Sequence, residues 1–213
     1  MRVFNFSMYI SQKEFTDELK KNQTEFNVFI SAEKMNELLI YYQFIQKHNE
    51  ILHLVAPSSP EIFAVRHVLE SLFLQKYLPK NAYFADIGAG AGLPSIPCLI
   101  FREDLRSVLI ESKLKKANFL KQALCECNLE NRAKIFARQF EELQKPADIQ
   151  FVTCRALDNF ARKLPKILKW SKKSDLLLFG GNNLAEELSK HAVKYQQKLI
   201  PQSEQRYLFI IQN

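Results

Sequence analysis

Phe84-Ala85-Asp86-Ile87-Gly88-Ala89-Gly90-Ala91-Gly92-Leu93-Pro94 is the stretch on which the reading of this chain turns. Three of the five glycines fall within five residues, after a short apolar run and before an apolar helical pattern. Glycine at that density lets the backbone turn sharply after a strand and approach a ligand closely. The spacing excludes one use of such a turn. A dinucleotide fingerprint places a third glycine three residues after the second, and here that position is Leu93.

Outward from this turn, short apolar runs alternate with helical ones from Ala82 to the end, the signature of an α/β doubly wound, mostly parallel sheet. Expected strands are 82–87, 106–111, 133–137, 149–154, 174–179, and a closely spaced final pair near 193–199 and 206–211. Expected helices lie near 94–101, 113–127, 158–170 and 183–191. Residues 1–80 read as an all-helical cap and 81–213 as one compact ligand-binding domain. In the cap, Ser11 with Glu14 forms a capping box for a helix from about Gln12 to Lys21. A second helix spans about Ala32 to Gln46, with Met35, Leu38, Leu39, Tyr42 and Ile45 on one face. Ser58 and Glu61 repeat the capping pattern before a third, roughly Pro60 to Lys76.

Size and charge narrow the classes. The chain has 213 residues, 47% of them apolar, with 8 prolines, which fits a globular protein with a sizeable core. A net charge of +7 favours a polyanionic partner. Cys98, Cys125, Cys127 and Cys154 form no C-x-x-C and have no histidine at metal-ligand spacing, so reduced thiols and no metal are expected. No apolar stretch reaches membrane-spanning length and the N-terminus lacks a signal-peptide core. A cytoplasmic protein without membrane contact, acting as a monomer, is the expectation.

Gly-x-Gly-x-Gly with an acid two residues before it resembles the first motif of the S-adenosylmethionine-dependent methyltransferases. In an open parallel sheet, ligands sit beyond the carboxyl ends of the strands. Three features land there. The backbone of Gly88, Gly90 and Gly92 can approach the methionine and ribose portions of a nucleoside, with Asp86 holding the ammonium of the methionine tail. Glu111, 23 residues after Gly88, can accept hydrogen bonds from ribose hydroxyls. Phe140 and Glu141 can read an adenine edge. Each has a bland counterpart: a tight turn, a helix cap at Glu111-Ser112, a packing aromatic.

With these residues in hand, the chain resembles the RsmG family, also called glucose-inhibited division protein B. Arg66-His67-Val68-Leu69-Glu70-Ser71 is similar to its Arg-His-x-x-Asp-Ser helix, and Asp86 through Pro97 to its Asp-x-Gly-x-Gly-x-Gly-Leu-Pro-Gly-Ile-Pro. Lys113 to Leu120, Glu141-Glu142, Arg155-Ala156 and Arg206-Tyr207-Leu208 follow in the family's order, covering roughly residue 30 to the end. The resemblance implies a class I methyltransferase, Rossmann-like, with a seven-stranded sheet. It implies methylation of N7 of a guanine in small-subunit (16S) ribosomal RNA, free or in the assembling 30S particle. It places cofactor contacts at Gly88, Leu93, Phe140, Glu141 and Arg155. Ser95 stands where glycine is usual, His53-Leu54-Val55 replaces Asn-Leu-Thr, and Phe179 replaces a lysine before Gly180.

Guanine N7 carries an in-plane lone pair and no proton, so its methylation needs alignment and no general base. Arg155 is the expected positioning residue. Pro97-Cys98 and Thr153-Cys154 invite the thiolate chemistry of cytosine C5 methylation, but Cys98 falls in a helix and Cys154 lacks a preceding Asp-x-Pro-Cys. The Asn/Asp-Pro-Pro-aromatic signature of exocyclic-amine methylation is absent. For RNA contact, Arg162, Lys166, Lys169 and Lys173 line one face of the helix near 158–170, opposite Phe160, Leu164, Ile167 and Leu168. Lys113, Lys115, Lys116 and Lys121 make a second cluster, and Arg66 and His67 shape the mouth. Two alternatives stay open: methylation of another RNA or a small molecule, and a non-catalytic RNA-binding regulator that retains the nucleoside site.

Overall fold

The computed structural model describes residues 2–155 and 159–213, with side chains from Ile10 onward. Seven strands form one sheet: β1 (Tyr83–Ile87), β2 (Arg106–Ile110), β3 (Ala133–Phe136), β4 (Phe151–Arg155), β5 (Asp175–Gly180), β6 (Gln196–Leu199) and β7 (Tyr207–Ile211). Their order is β3-β2-β1-β4-β5-β7-β6, with β7 antiparallel to both of its neighbours. The sequence therefore folds into the doubly wound class that its alternating pattern implied. Strand order reverses between β1 and β4, and the glycine turn leaves β1 at that switch point.

Side chains alternate between the two faces of the sheet. Phe84, Leu109, Leu177, Phe179 and Leu208 join the core beneath the N-terminal helices, together with Ile96 and Phe119. Ala85, Ile87, Ile110, Cys154, Leu178 and Phe209 face the other way, against Leu164, Ile167, Leu184 and Leu188. The helices concerned are α1 (Arg2–Asn22), α2 (Ala32–Leu52), α3 (Pro60–Phe63), α4 (Glu70–Leu74), α5 (Ser95–Phe101), α6 (Leu114–Glu126), α7 (Phe160–Trp170) and α8 (Asn182–Lys190). Between α3 and α4 the chain winds as a π-helix over Ala64–Leu69, and a 3-10 turn follows at Gln75–Tyr77. The N-terminal helices thus pack on one sheet face and share its core.

Three local expectations are corrected. Ser11 is no cap: α1 begins at Arg2, and the Ser11 hydroxyl lies 2.9 Å from the Tyr42 hydroxyl. The cap of α3 is Ser59, one residue later than expected, because Pro60 occupies the first helical position and carries no N–H to bond. The second helix runs to Leu52, where His53 ends it in the left-handed conformation (φ 46°) and its N–H bonds the Asn49 carbonyl. The Ala156 of the Arg-Ala match and the expected helix start at 158 lie outside the described residues.

Candidate active site

The glycine turn takes backbone angles that side chains disfavour: φ is 73° at Gly88, 55° at Gly90 and 91° at Gly92. Gly88 and Ala89 N–H groups both donate to the Ile110 carbonyl, at 2.9 and 3.1 Å, pinning the turn to the end of β2. A Cβ on Gly90 would have only the Gly88 carbonyl near it, at 3.7 Å. One on Gly92 would meet Ile96 Cδ1 at 2.4 Å. Gly90 therefore keeps ligand space open, whereas Gly92 lets α5 close onto the turn. The buried Tyr41 hydroxyl, from α2, donates to the Ala91 carbonyl at 2.8 Å.

Glu111 follows β2 and organises the same turn. One carboxylate oxygen accepts from Gly90 N–H at 3.0 Å and the other from Lys113 N–H at 2.8 Å. Each oxygen has two acceptor directions, so two remain for an incoming donor. Asp86 is fully buried and has a different task. Its Oδ2 accepts from the Ser95 hydroxyl at 2.6 Å, and its Oδ1 has no partner. Burial lifts its carboxyl to about 7 against the opposing pull of Ser95. The serine found in place of a glycine thus solvates the acid beneath the turn.

A cavity of about 490 Å³, within the usual range for small-molecule sites, opens beyond these strand ends. Gly88, Gly90, Leu93, Glu111, Lys113, Lys116, His67 and Arg155 all line it, so eight of the residues singled out in the sequence converge. Leu54 and Val55 form another wall, held by the Asn49 side chain, which bonds both of their N–H groups. Lys116 is tied to this segment through the His53 carbonyl at 3.1 Å. Asp86 and Gly92 lie behind the turn. Phe140 is buried edge-on against Trp170 and borders a small adjoining recess with Gly88 and Gln139. Glu141 sits outside, 3.3 Å from Lys166.

Arg155, at the end of β4, is held from several sides. It donates to Glu70 at 3.0 Å, to the Ser71 hydroxyl at 3.3 Å and to the Arg66 carbonyl, and its guanidinium lies 5.4 Å from the Phe179 ring centroid. Arg206 shares the same buried Glu70 at 2.7 Å. Phe179, which stands where the resemblance has lysine, thus supplies an aromatic face for Arg155. His67 is pushed down to about 4 by burial and then by the charges of Arg155 and Arg66, so it is neutral at physiological pH. Arg66, Arg162, Lys166 and Lys169 are exposed and outside the cavity. Lys163 lines it instead.

Tyr41, Glu70 and Lys163 escaped the sequence reading. Only Glu70, three residues after His67 in a motif-bearing helix, carried a local signal. Cys154 is buried within the sheet core and Cys98 on the buried face of α5, away from the cavity lining. Among the described residues, no group of three or more His, Cys, Asp or Glu can hold a metal, and no helix is long and apolar enough to cross a membrane.

Comparison with known proteins gives this arrangement a context. The family profile described as rRNA small subunit methyltransferase G, GidB, matches residues 34–207. A ribosomal RNA small subunit methyltransferase G from Aster yellows witches'-broom phytoplasma (strain AYWB) is 32% identical over 175 residues, 78% of this chain and 81% of that protein. One from Xanthomonas axonopodis pv. citri (strain 306) is 40% identical over 124 residues, 58% of each chain. Among solved structures, the mitomycin 7-O-methyltransferase MmcR superposes with a TM-score of 0.59 at 17% identity, over 81% of this chain and 60% of that one. M. jannaschii TYW2 in complex with AdoMet gives 0.53 at 14%, over 68% and 73%. At those identities the structural likeness establishes the fold.

Proposed function

This chain belongs to the small-subunit rRNA methyltransferase G family, and we propose that it transfers the methyl group of S-adenosylmethionine to N7 of a guanine in 16S ribosomal RNA. The observation that carries this reading is the cavity at the switch point, where the glycine turn and the Glu111 carboxylate meet. The residues present fit the cofactor. Gly90 leaves a cradle that a Cβ would fill, and Glu111 has acceptor directions for ribose hydroxyls. Gly88, Gly90, Leu93 and Glu111 form its contacts, with Phe140 bordering the adenine end. Asp86 supports this cradle from behind, through Ser95.

When bound, S-adenosylmethionine would supply a methyl group on a positively charged sulfur, to be taken by the in-plane lone pair of N7 as the sulfur–methyl bond breaks and the neutral thioether S-adenosylhomocysteine leaves. The chain's task is then orientation and exclusion of water. Leu54, Val55 and Leu93 give the cavity apolar walls. Arg155 is fixed by Glu70 and by stacking on Phe179, which locks the wall where the π-helix meets β4. Glu70, shared with Arg206, offsets part of its charge beside a purine that becomes cationic on methylation. The exposed Arg162, Lys166 and Lys169 on α7, with Lys113 and Lys116 at the cavity, supply cations for the phosphates of the RNA.

We infer a monomer acting in the cytoplasm, on free small-subunit RNA or on the assembling 30S particle. The exposed polar residues Gln196, Gln197 and Lys198 on the edge strand β6 support the monomer by discouraging pairing between sheets. The test is methyl transfer from labelled S-adenosylmethionine to 16S RNA and to small subunits from cells lacking the protein, followed by nucleoside mass spectrometry. Label in 7-methylguanosine is expected. Label in another nucleoside, or in neither substrate, refutes the reading.

A further inference from the structure

His67 is the one imidazole among the described residues that line the cavity. It sits on the π-helical turn Ala64–Leu69 and lines the cavity, with its ring packed 4.9 Å from that of Phe63. Its Nδ1 is buried and has no hydrogen-bond partner. An orphaned buried N–H is rarer than an under-used acceptor, so the ring proton belongs on Nε2, the nitrogen left for the cavity.

We propose that this Nε2–H donates to O6 of the target guanine, selecting guanine and leaving N7 free for methylation; this deepens, and rests on, the methyl-transfer reading above. The Hoogsteen edge of guanine presents two adjacent acceptors, N7 and O6, whereas adenine presents an acceptor and an N–H donor. A lone donor aimed at O6 accepts guanine and opposes adenine. A bidentate arginine would also recognise guanine, but it would engage the N7 lone pair that must attack. Arg155, the arginine in the cavity wall, is occupied by Glu70, Ser71 and the Arg66 carbonyl. A neutral imidazole adds no charge of its own against the product ring, which is cationic after methylation. The low basicity imposed on His67 by burial and the adjacent arginines is consistent with that role.

The test pairs a protein change with a base change. Wild type, His67→Ala and His67→Gln are assayed on 16S RNA carrying guanine at the target position, and on the same RNA carrying 2-aminopurine, which lacks O6. S-adenosylmethionine affinity is measured in parallel by calorimetry. On guanine, His67→Ala is expected to lower kcat/KM by about tenfold, the scale of one hydrogen bond, while His67→Gln, which keeps an N–H, loses less. On 2-aminopurine, wild type and His67→Ala should be equal, and cofactor affinity should be unchanged throughout. An equal loss on both RNAs, no loss on guanine, or a loss confined to cofactor affinity overturns the assignment. If His67→Ala does not fold, His67→Phe, which fills the same space without a ring N–H, carries the same comparison. A wild type that methylates neither RNA overturns the methyl-transfer reading itself.

Discussion

Alanine at Gly90 and alanine at Gly92 separate the two tasks of the glycine turn. At Gly92, φ of 91° disfavours any side chain, and the new Cβ would meet Ile96 Cδ1 at 2.4 Å, Ile96 Cγ1 at 2.8 Å and Leu120 Cδ2 at 3.2 Å. Left-handed backbone costs about 1–2 kcal/mol, and forcing a methyl into a packed core costs about 1–3 kcal/mol more. Gly92→Ala should therefore destabilise by roughly 2–5 kcal/mol, or about 4–20 °C in Tm for a domain of this size. At Gly90 only the backbone penalty applies, because the nearest atom to the Cβ is 3.7 Å away. Gly90→Ala should cost about 1–2 kcal/mol of stability but place a methyl in ligand space, weakening S-adenosylmethionine at least tenfold. Urea unfolding and calorimetric titration of both variants decide the matter. A Gly92→Ala protein as stable as wild type, or a Gly90→Ala protein that binds the cofactor normally, refutes this division of tasks.

Other consequences follow from the same geometry. Asp86, raised from 3.8 to about 7, favours the protonated folded state. Its contribution is fully present below the unfolded value and is lost as pH rises through about 7. Taken alone, Asp86 thus lowers ligand-free stability by about 4 kcal/mol between pH 4 and 7, while His67, pushed down from 6.5 to about 4, raises it by about 3 kcal/mol over nearly the same range. Wild-type Tm should therefore change little with pH there, whereas Asp86→Asn should gain stability as pH rises and be the more stable protein at pH 8. Tyr41→Phe strands the buried Ala91 carbonyl and should cost about 1–3 kcal/mol, measured by urea unfolding, together with some cofactor affinity. Charge reversal at Lys166 and Lys169 should weaken RNA binding and reduce the slope of log affinity against log salt by about 1.4–1.8. Unchanged binding in filter assays would remove α7 from the RNA surface.

What was legible in the sequence was local. The glycine turn declared itself because positive φ restricts residue choice, and Glu111 because strand ends in this fold class converge on one crevice. The strand pattern emerged from short apolar runs between helical ones, as strands buried on both faces require, including the final pair that gives the sheet its antiparallel strand. The missed features depend on distant partners or on chain winding. The Tyr41 hydroxyl meets a carbonyl fifty residues away. Glu70 joins Arg155 and Arg206 from three separate parts of the chain; its motif singles out the helix but not these partners. Apolar periodicity cannot distinguish a π-helical turn from an α-helical one, yet that turn carries His67 into the cavity. Ser11 shows the converse: a capping pattern is only a pattern when the helix already extends past it to Arg2.

A crystal structure of the protein grown with S-adenosylhomocysteine tests the central claim most directly. Density for the nucleoside against Gly88 and Gly90, with its ribose hydroxyls on the Glu111 carboxylate, is the predicted result. An empty cavity at saturating ligand, or the nucleoside bound elsewhere on the sheet, would contradict the account.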